Sequence, residues 1–475
     1  MPSHREDELE LEQGLLSGVS RKEQLPERPL LYSRRPLLYI MLLISFLGLS
    51  WVFLRTDARQ PLTPTLNVPR NVQLDWAQYS PYFPAGTYSS PPSGCKVDQI
   101  QRHGARYPTK GASTAIRQAL AKIQSVDEYT DSRLNFLRSF KYQLGTDDLV
   151  PFGAAQSFDS GVEVFERYSH LTNGRNIPFV RSSDSERVVV SAQNWTNGFS
   201  FASNHRFNPP VAVIISEAAN DTLDDSMCPG AGDSDEQTSA WLGTFAPPIT
   251  SRLNAAASGA NLTDKDTFSL ISLCPFETVF LEKGSPFCSI FAEDQISFPG
   301  FEYAGDLDKY YGTGYGQELG RVQGVGYVNE LIARLTNSPV RDNTQTNRTL
   351  DSNPATFPLN RSIYADFSHD NQMIAIYAAL GLFNSTALNP TQPDPAHIWR
   401  VSDLVPFSAR MVVERLDCGK QGSNVRIFVN DALQPLEFCG GDPRVGICTL
   451  KAFVESQSYS RNDGEGDFEK CFLDS

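Results

Sequence analysis

The stretch QRHGARYPT, residues 101–109, sets Arg102 and Arg106 around His103 in a chain whose formal net charge is −14. Two cations beside an imidazole oppose its protonation. Three readings fit these residues: a surface turn with a satisfied histidine, part of a metal site, or a nucleophile held in an anion clamp. The metal reading has little support, because the chain has six histidines and no H-x-H or H-E-x-x-H pair. The anion reading has a definite chemistry. Guanidinium forks grip phosphate oxygens in pairs and stay charged at any working pH. A neutral imidazole between them can attack phosphorus, splitting one hard displacement into two easier ones through a covalent intermediate. Gly104 would let the backbone pass close to the bound anion.

Residues of this kind need rigid elements to hold them. CKVDQIQRHG reads as a strand that ends at the RHG turn. Residues 111–144 carry helical spacing, and a second helix opens after Pro151. IPFVRSS (177–183) and VAVIISEA (211–218) are strand-like. GVGYVNELIARLTN (324–337) is an amphipathic helix, and SIYADFSHDN (362–371) is a strand running into a turn and helix. VVERLDC (412–418) and VRIFVNDA (425–432) form a strand pair. Strands alternating with helices predict an α/β fold with a central mixed sheet flanked by helices. Residues 219–318, acidic, loop-rich and glycine-punctuated, read as a smaller, mostly helical inserted subdomain. Ligands of such sheets sit beyond the carboxyl ends of strands, where the RHG and SHD turns both fall. GTGYG (312–316) lacks the spacing of a nucleotide loop and reads as an ordinary turn.

The length of 475 residues suggests about two domains, and the acidic balance argues against nucleic acid as a partner. Residues 1–35 are polar and read as a cytoplasmic tail. Residues 36–54, PLLYIMLLISFLGLSWVFL, carry no charge and are long enough for a transmembrane helix. A cleaved signal peptide is the rival reading; it fits poorly, because the leader is long and no small-residue cleavage site follows. Arg21, Lys22, Arg28, Arg34 and Arg35 before the span outnumber Arg55, Arg59 and Arg70 after it. That bias orients the chain as a type II signal anchor, with the folded part outside the cell or in a secretory or vacuolar lumen. The proline-rich residues 55–92 read as a stalk. All eight cysteines follow the span and none lies in a CxxC pair, so disulfides are favoured over zinc. Asn194, Asn220, Asn261, Asn347, Asn360 and Asn384 each begin a glycosylation sequon.

RHGARYP resembles the signature of the histidine acid phosphatases, specifically their fungal phytase branch. The similarity runs over nearly all of residues 93–475. It includes YQLGTDDLVPFG (142–153), RSSDSERVVVSA (181–192), QGVGYVNELIARLTNSPV (323–340) and LDSNPATFPLNRSIYADFSHDN (350–371). RHG alone is shared with phosphoglycerate mutases, cytosolic enzymes without this cysteine pattern and a poorer fit. The resemblance implies a phosphatase domain of residues 93–218 and 319–475, with the 219–318 insert roofing the site. It implies that His103 is the nucleophile that becomes phosphohistidine and Asp370 the general acid. Arg102, Arg106, Arg187 and His369 would bind phosphate, with no metal or cofactor required; Arg181 is given a structural role. It pairs Cys95 with Cys418, Cys228 with Cys471, Cys274 with Cys288, and Cys439 with Cys448. The implied substrates are phosphomonoesters, phytate (inositol hexakisphosphate) among them. Fungal phytases often carry two lysines before YYG and several after RYPT. Here Asp308-Lys309 and Lys110 stand there, so the cationic rim is thinner and a broader acid phosphatase is expected. The alternative is a non-catalytic membrane-anchored ectodomain that keeps the fold.

Overall fold

The computed structural model describes residues 61–91, 94–418 and 422–473. The tail expected at 1–35 and the span expected at 36–54 lie outside the described residues. Among the described residues, no helix is long and apolar enough to cross a membrane.

Strand β1 (Gly94–Arg102) is buried over its last seven residues, as befits a strand covered on both faces. It lies between β4 (Ile363–Ser368), parallel to it, and β5 (Arg410–Leu416), antiparallel to it. β2 (Phe179–Ser183) and β3 (Val211–Ile215) extend the parallel side, and β6 (Asn424–Val429) extends the antiparallel one. The order β3-β2-β4-β1-β5-β6 is the mixed sheet expected, with helices packed on it. Helices α1 (Lys110–Ile123), α2 (Pro151–Tyr168) and α3 (Glu186–Ala202) come from the first half of the chain. The helical spacing of residues 111–144 is realised only as far as Ile123. Beyond it a separate 3-10 helix, Ser132–Arg138, follows, its start capped by the Asp131 carboxylate, which accepts from the Arg133 amide.

Charged residues inside these strands are paired. Arg181 of β2 binds Asp366 of β4 (Nε–Oδ1 2.9 Å) and Glu330 (Nη2–Oε2 2.6 Å). Arg334 binds the same Asp366 (2.7 Å) and Asp98 of β1 (3.0 Å). Removing one partner of such a network would strand a buried charge, so the set locks three neighbouring strands in register.

The helical insert consists of α4 (Asp235–Ala256), α5 (Asp264–Leu281), α6 (Pro286–Phe291) and α7 (Ser297–Gly312). It has no core of its own. Phe276, Phe301 and Leu307 belong to the same hydrophobic cluster as Ile100 of β1 and Tyr364 of β4. Disulfides join Cys95 to Cys418, Cys228 to Cys471, Cys274 to Cys288, and Cys439 to Cys448.

The stalk reading needs correction from residue 61 onward. Residues 61–91 form a strap laid on the body, because Leu66, Trp76 and Ala77 carry apolar surface that becomes buried there. The Leu62 and Thr63 amides donate to Asp159 of α2 (2.7 and 2.8 Å), and the Ala77 amide donates to Glu302 of α7 (2.6 Å). Two short helical turns, Arg70–Gln73 and Ala77–Tyr79, interrupt it, and every few residues it is tied down.

Candidate active site

The parallel side of the sheet brings the chemistry-bearing turns together. In the β1–β4 register Arg102 lies opposite Ser368, so His103 and His369, one residue beyond each strand, are neighbours. Their ring centroids are 5.8 Å apart. β2, on the other side of β4, leads into α3, whose second residue is Arg187. β3 leads to Glu217. Four adjacent parallel strands thus deliver their following residues to one end of the sheet, as the topology rule for such sheets requires.

His103 is buried, and its Nδ1 lies 2.8 Å from the Gly104 carbonyl. A carbonyl only accepts, so Nδ1 carries the proton and Nε2 keeps its lone pair free. Burial, then the charges of Arg102, Arg106 and Arg187, hold this imidazole well below its usual pKa. The two flanking arginines that oppose protonation in the sequence are joined here by a third from α3 and by loss of solvent. The Gly104 amide donates to Ser191 Oγ (3.0 Å), which donates to the Arg187 carbonyl (2.7 Å), tying the histidine turn to the helix that carries Arg187. Packing alone requires Gly104 to be small. A Cβ there would lie 2.2 Å from the Gly153 carbonyl oxygen, so the residue is small because α2 packs on it.

Arg102 is buried and aimed by its surroundings. Its Nη1 donates to the carbonyls of Val405 (2.7 Å) and Gln78, and its Nη2 lies 2.9 Å from Asp370 Oδ2. The Phe407 ring lies beneath it, 4.8 Å from the guanidinium carbon. Burial, partly offset by Asp370 and reinforced by Arg106, brings Arg102 to about 10, still charged at neutral and acid pH. Arg106 donates to the Tyr107 carbonyl (2.8 Å), and its charge bears on both His103 and Asp370.

His369 occupies the N-cap position of α9 (Asp370–Leu380), but its side chain does not cap; α8 (Val325–Thr336) packs nearby. Arg187 Nη2 lies 3.3 Å from His369 Nδ1, and a guanidinium can only donate. Nε2–H therefore donates to Glu217 Oε1 at 2.8 Å. Glu217 also accepts from the hydroxyls of Ser183 (2.7 Å) and Ser185 (2.9 Å). Burial raises its pKa, but His369 and the two serines outweigh burial and leave it well below the carboxylate range. Sequence reasoning missed Glu217. The available signal was a carboxylate just past a strand, at the same end as the RHG turn.

Asp370 heads α9. Burial pushes its carboxyl up, yet Arg102, Lys309, His103 and Arg106 prevail and hold it well below the usual range. Lys309 is not the rim residue expected. It is buried, with Nζ 3.4 Å from Asp370 Oδ2, 3.2 Å from Asp308 Oδ2 and 2.6 Å from Asn371 Oδ1. Asp308 does reach solvent and accepts from Ser234 Oγ (3.0 Å), whereas Lys110 is exposed at the start of α1. Gln78 carries no signal that a sequence could show, since it acts through its backbone carbonyl.

The candidate sequon asparagines differ in setting. Asn220, Asn261, Asn360 and Asn384 are exposed. Asn194 is half-buried within α3, its amide donating to the Val190 carbonyl (2.8 Å), and Asn347 caps a short helix through its own side chain. Among the described residues, Glu217, Asp224 and His369 bring donor atoms within 4.8 Å of one another, close enough for a cation. The imidazole hydrogen bond to Glu217 already satisfies that contact.

A buried, neutral, correctly tautomeric imidazole among three guanidiniums, with a carboxyl against the clamp, can attack an anionic electrophile and protonate what leaves. Comparison with known proteins agrees. Phytase A of Emericella nidulans is 42% identical over 429 residues, covering 85% of this chain and 91% of that relative. Phytase A of Aspergillus awamori is also 42% identical, over 83% of this chain and 90% of its own length. The crystal structure of the phytase from D. castellii superposes with a TM-score of 0.68 at 23% identity, over 84% of this chain and 87% of that one, a likeness of fold. The description "Histidine phosphatase superfamily (branch 2)" matches residues 96–430, and with relatives this similar the chain belongs to that family.

Proposed function

We propose that this histidine phosphatase, a phosphoric monoester hydrolase, takes phytate among its substrates and works through a phosphohistidine on His103. Arg102, Arg106 and Arg187 grip the phosphoryl oxygens, with His369 added to the clamp and turned toward it by Glu217. Nε2 of His103 forms the N–P bond as the P–O bond breaks, and Asp370 gives its proton to the departing alkoxide. Asp370 then takes a proton from the water that releases inorganic phosphate. Because the cations Arg102, Lys309 and Arg106 hold Asp370 ionised, it can be a donor only when an anionic phosphoryl group offsets their field; the substrate itself thus prepares the acid. The observation that carries this reading is the Nδ1 contact to Gly104, which leaves Nε2 as the free nucleophile. His103→Ala should abolish hydrolysis of phosphomonoesters and remove an acid-labile phosphoryl label seen in rapid-quench experiments. Full activity in that variant refutes the mechanism. Phytate enters because relatives 42% identical over most of their length are named phytases.

The arrangement in the cell belongs to the same proposal. Residues 36–54 anchor the chain in a membrane with the tail of residues 1–35 cytoplasmic, and the strap beginning near residue 61 joins the anchor to the phosphatase body. Four disulfides and exposed sequon asparagines support an oxidising, glycosylating compartment for that body. Protease added to sealed membranes should trim the tail and spare the glycosylated domain, whereas release of full-length enzyme without detergent counts against the anchor.

A further inference from the structure

Arg102 owes its aim to two carbonyls, those of Gln78 and Val405, and both lead back to one buried carboxylate. Glu302 of α7 is buried, and each of its oxygens takes one backbone amide. Oε2 accepts from Ala77 (2.6 Å), the residue before Gln78 in the strap. Oε1 accepts from Ser402 (3.0 Å), in the short helix Val401–Leu404 that ends one residue before Val405. Asp306, one turn further along α7, accepts from the neighbouring Val401 amide (2.7 Å). The strap turns sharply here: Ala77 has a φ of 51°, in the left-handed region that a residue with a Cβ rarely enters. Gly305 of α7 makes room for that turn, since a Cβ there would lie 2.4 Å from the Ala77 Cβ.

We infer that Glu302 and Gly305 are positioning residues for the phosphate clamp, setting where the Arg102 guanidinium stands by fixing the two chain segments that hold it. A long flexible side chain loses rotamer freedom when it is ordered around an anion, and one already held in place loses less. With Nη1 committed to the two carbonyls and Nη2 against Asp370, Nε is buried without a hydrogen-bond partner in the protein, a donor left for a phosphoryl oxygen. The residue type at 302 follows from the same geometry. Two amides must be accepted at once, which a carboxylate does with its two oxygens and a carboxamide, with one acceptor and one donor, does not. The inference rests on the phosphatase reading above, and the test separates the two.

Calorimetry on the full-length enzyme with inorganic phosphate measures the clamp without turnover. Glu302→Gln keeps the side-chain shape but turns an NH2 toward one of the two amides, so one grip on Arg102 is freed. Phosphate should then bind about tenfold more weakly, and kcat/KM for 4-nitrophenyl phosphate should fall by a similar factor. A merely structural role would lower the melting temperature and the fraction of active molecules, and leave the phosphate Kd of the folded enzyme as it is. Gly305→Ala pushes the strap turn away sterically and should weaken phosphate about as much. Adding Ala77→Gly removes the clashing Cβ and suits the left-handed turn, so the double variant should recover the affinity. Asp159→Ala frees only the Leu62 and Thr63 amides at the start of the strap and should leave phosphate binding unchanged. If Glu302→Gln does not fold, the Gly305→Ala pair decides. Unchanged phosphate affinity in the folded single variants, a Gly305→Ala loss that Ala77→Gly fails to restore, or an equal loss in Asp159→Ala overturns the positioning role. The expected pattern of phosphate affinities with no turnover of any monoester by the unaltered enzyme overturns the phosphatase reading and leaves the positioning role standing.

Discussion

Lys309→Met removes one positive charge from beside the proposed acid while keeping most of the side-chain volume. Nζ lies 3.4 Å from Asp370 Oδ2. A unit-charge pair at that separation interacts by about 5 kcal/mol at an effective dielectric near 20, and by about 1 kcal/mol in water. At about 1.4 kcal/mol per pKa unit, loss of the lysine should raise Asp370 by roughly one to three and a half units. The true value falls short of the upper end, because the clamp arginines remain and solvent enters where the ammonium stood. Asp308 acts the other way: without the lysine its carboxylate faces Asp370 unscreened and adds to the rise. Asp370 must be protonated in the enzyme–substrate complex, so the basic limb of the kcat–pH profile should move to higher pH by at least one unit. The assay uses glycerol 2-phosphate, whose alkoxide needs the proton, alongside 4-nitrophenyl phosphate, whose phenolate does not. The shift should appear on the first substrate and be much smaller on the second. An unmoved basic limb on glycerol 2-phosphate, in a variant whose melting temperature shows it folded, would show that Lys309 does not set the acid.

Asp370→Asn should slow glycerol 2-phosphate by about 100-fold or more and 4-nitrophenyl phosphate far less; equal losses argue against proton donation. Sulfate, a dianion at all working pH values, should bind more tightly as pH falls, because its charge in the clamp favours protonated Asp370. That pH dependence should weaken in Asp370→Asn, and tighter binding at high pH would contradict the electrostatics. Burial raises Asp98 to about 6, Asp221 to about 7 and, together with Glu330, Asp351 to about 8. Each then holds a proton in the folded state that the unfolded chain releases near pH 4, so their contribution to stability is lost as pH rises from about 4 to 8. His103, held neutral, works in the opposite direction below about 6.5, but it is one group against three. Thermal unfolding should therefore show a higher melting temperature near pH 5 than near pH 8, with a smaller difference in Asp221→Asn; a monotonic rise toward pH 8 would be inconsistent with those raised carboxyls.

Local chemistry was legible in the amino-acid order. RHG and SHD each follow a short strand-like run, and both turns do cap neighbouring parallel strands. The β2 and β5–β6 runs were equally plain, because a short apolar, β-branched run is a property of a few consecutive residues. The insert's helices could be read from the same local spacing, but its lack of a separate core could not. Whether Phe276 packs within its own subdomain or against Ile100 depends on residues far away in the chain.

The arrangement around His103 shows the same division. Its two flanking arginines are covalent neighbours, so their effect on the imidazole needs no fold to be foreseen. Arg187, Glu217 and Lys309 act on the site from α3, the end of β3 and α7, and only the sheet order and the packing of the insert bring them within a few ångströms. Lys309 looked like a rim residue because fungal phytases often carry lysines before YYG, the place it holds here before Tyr310-Tyr311-Gly312. The tertiary structure buried it because Asp370, Asp308 and Asn371 together supply the acceptors that replace water. The strap is the extreme case. Its hold on Arg102 runs through the carbonyl of Gln78, a group every residue has, so no side-chain pattern could mark it, and proline content pointed to a free stalk instead. Spacing along the chain encodes which residues share a face. Which faces meet is decided by burial and charge balance summed over the whole molecule, and that sum exists only once the chain has folded.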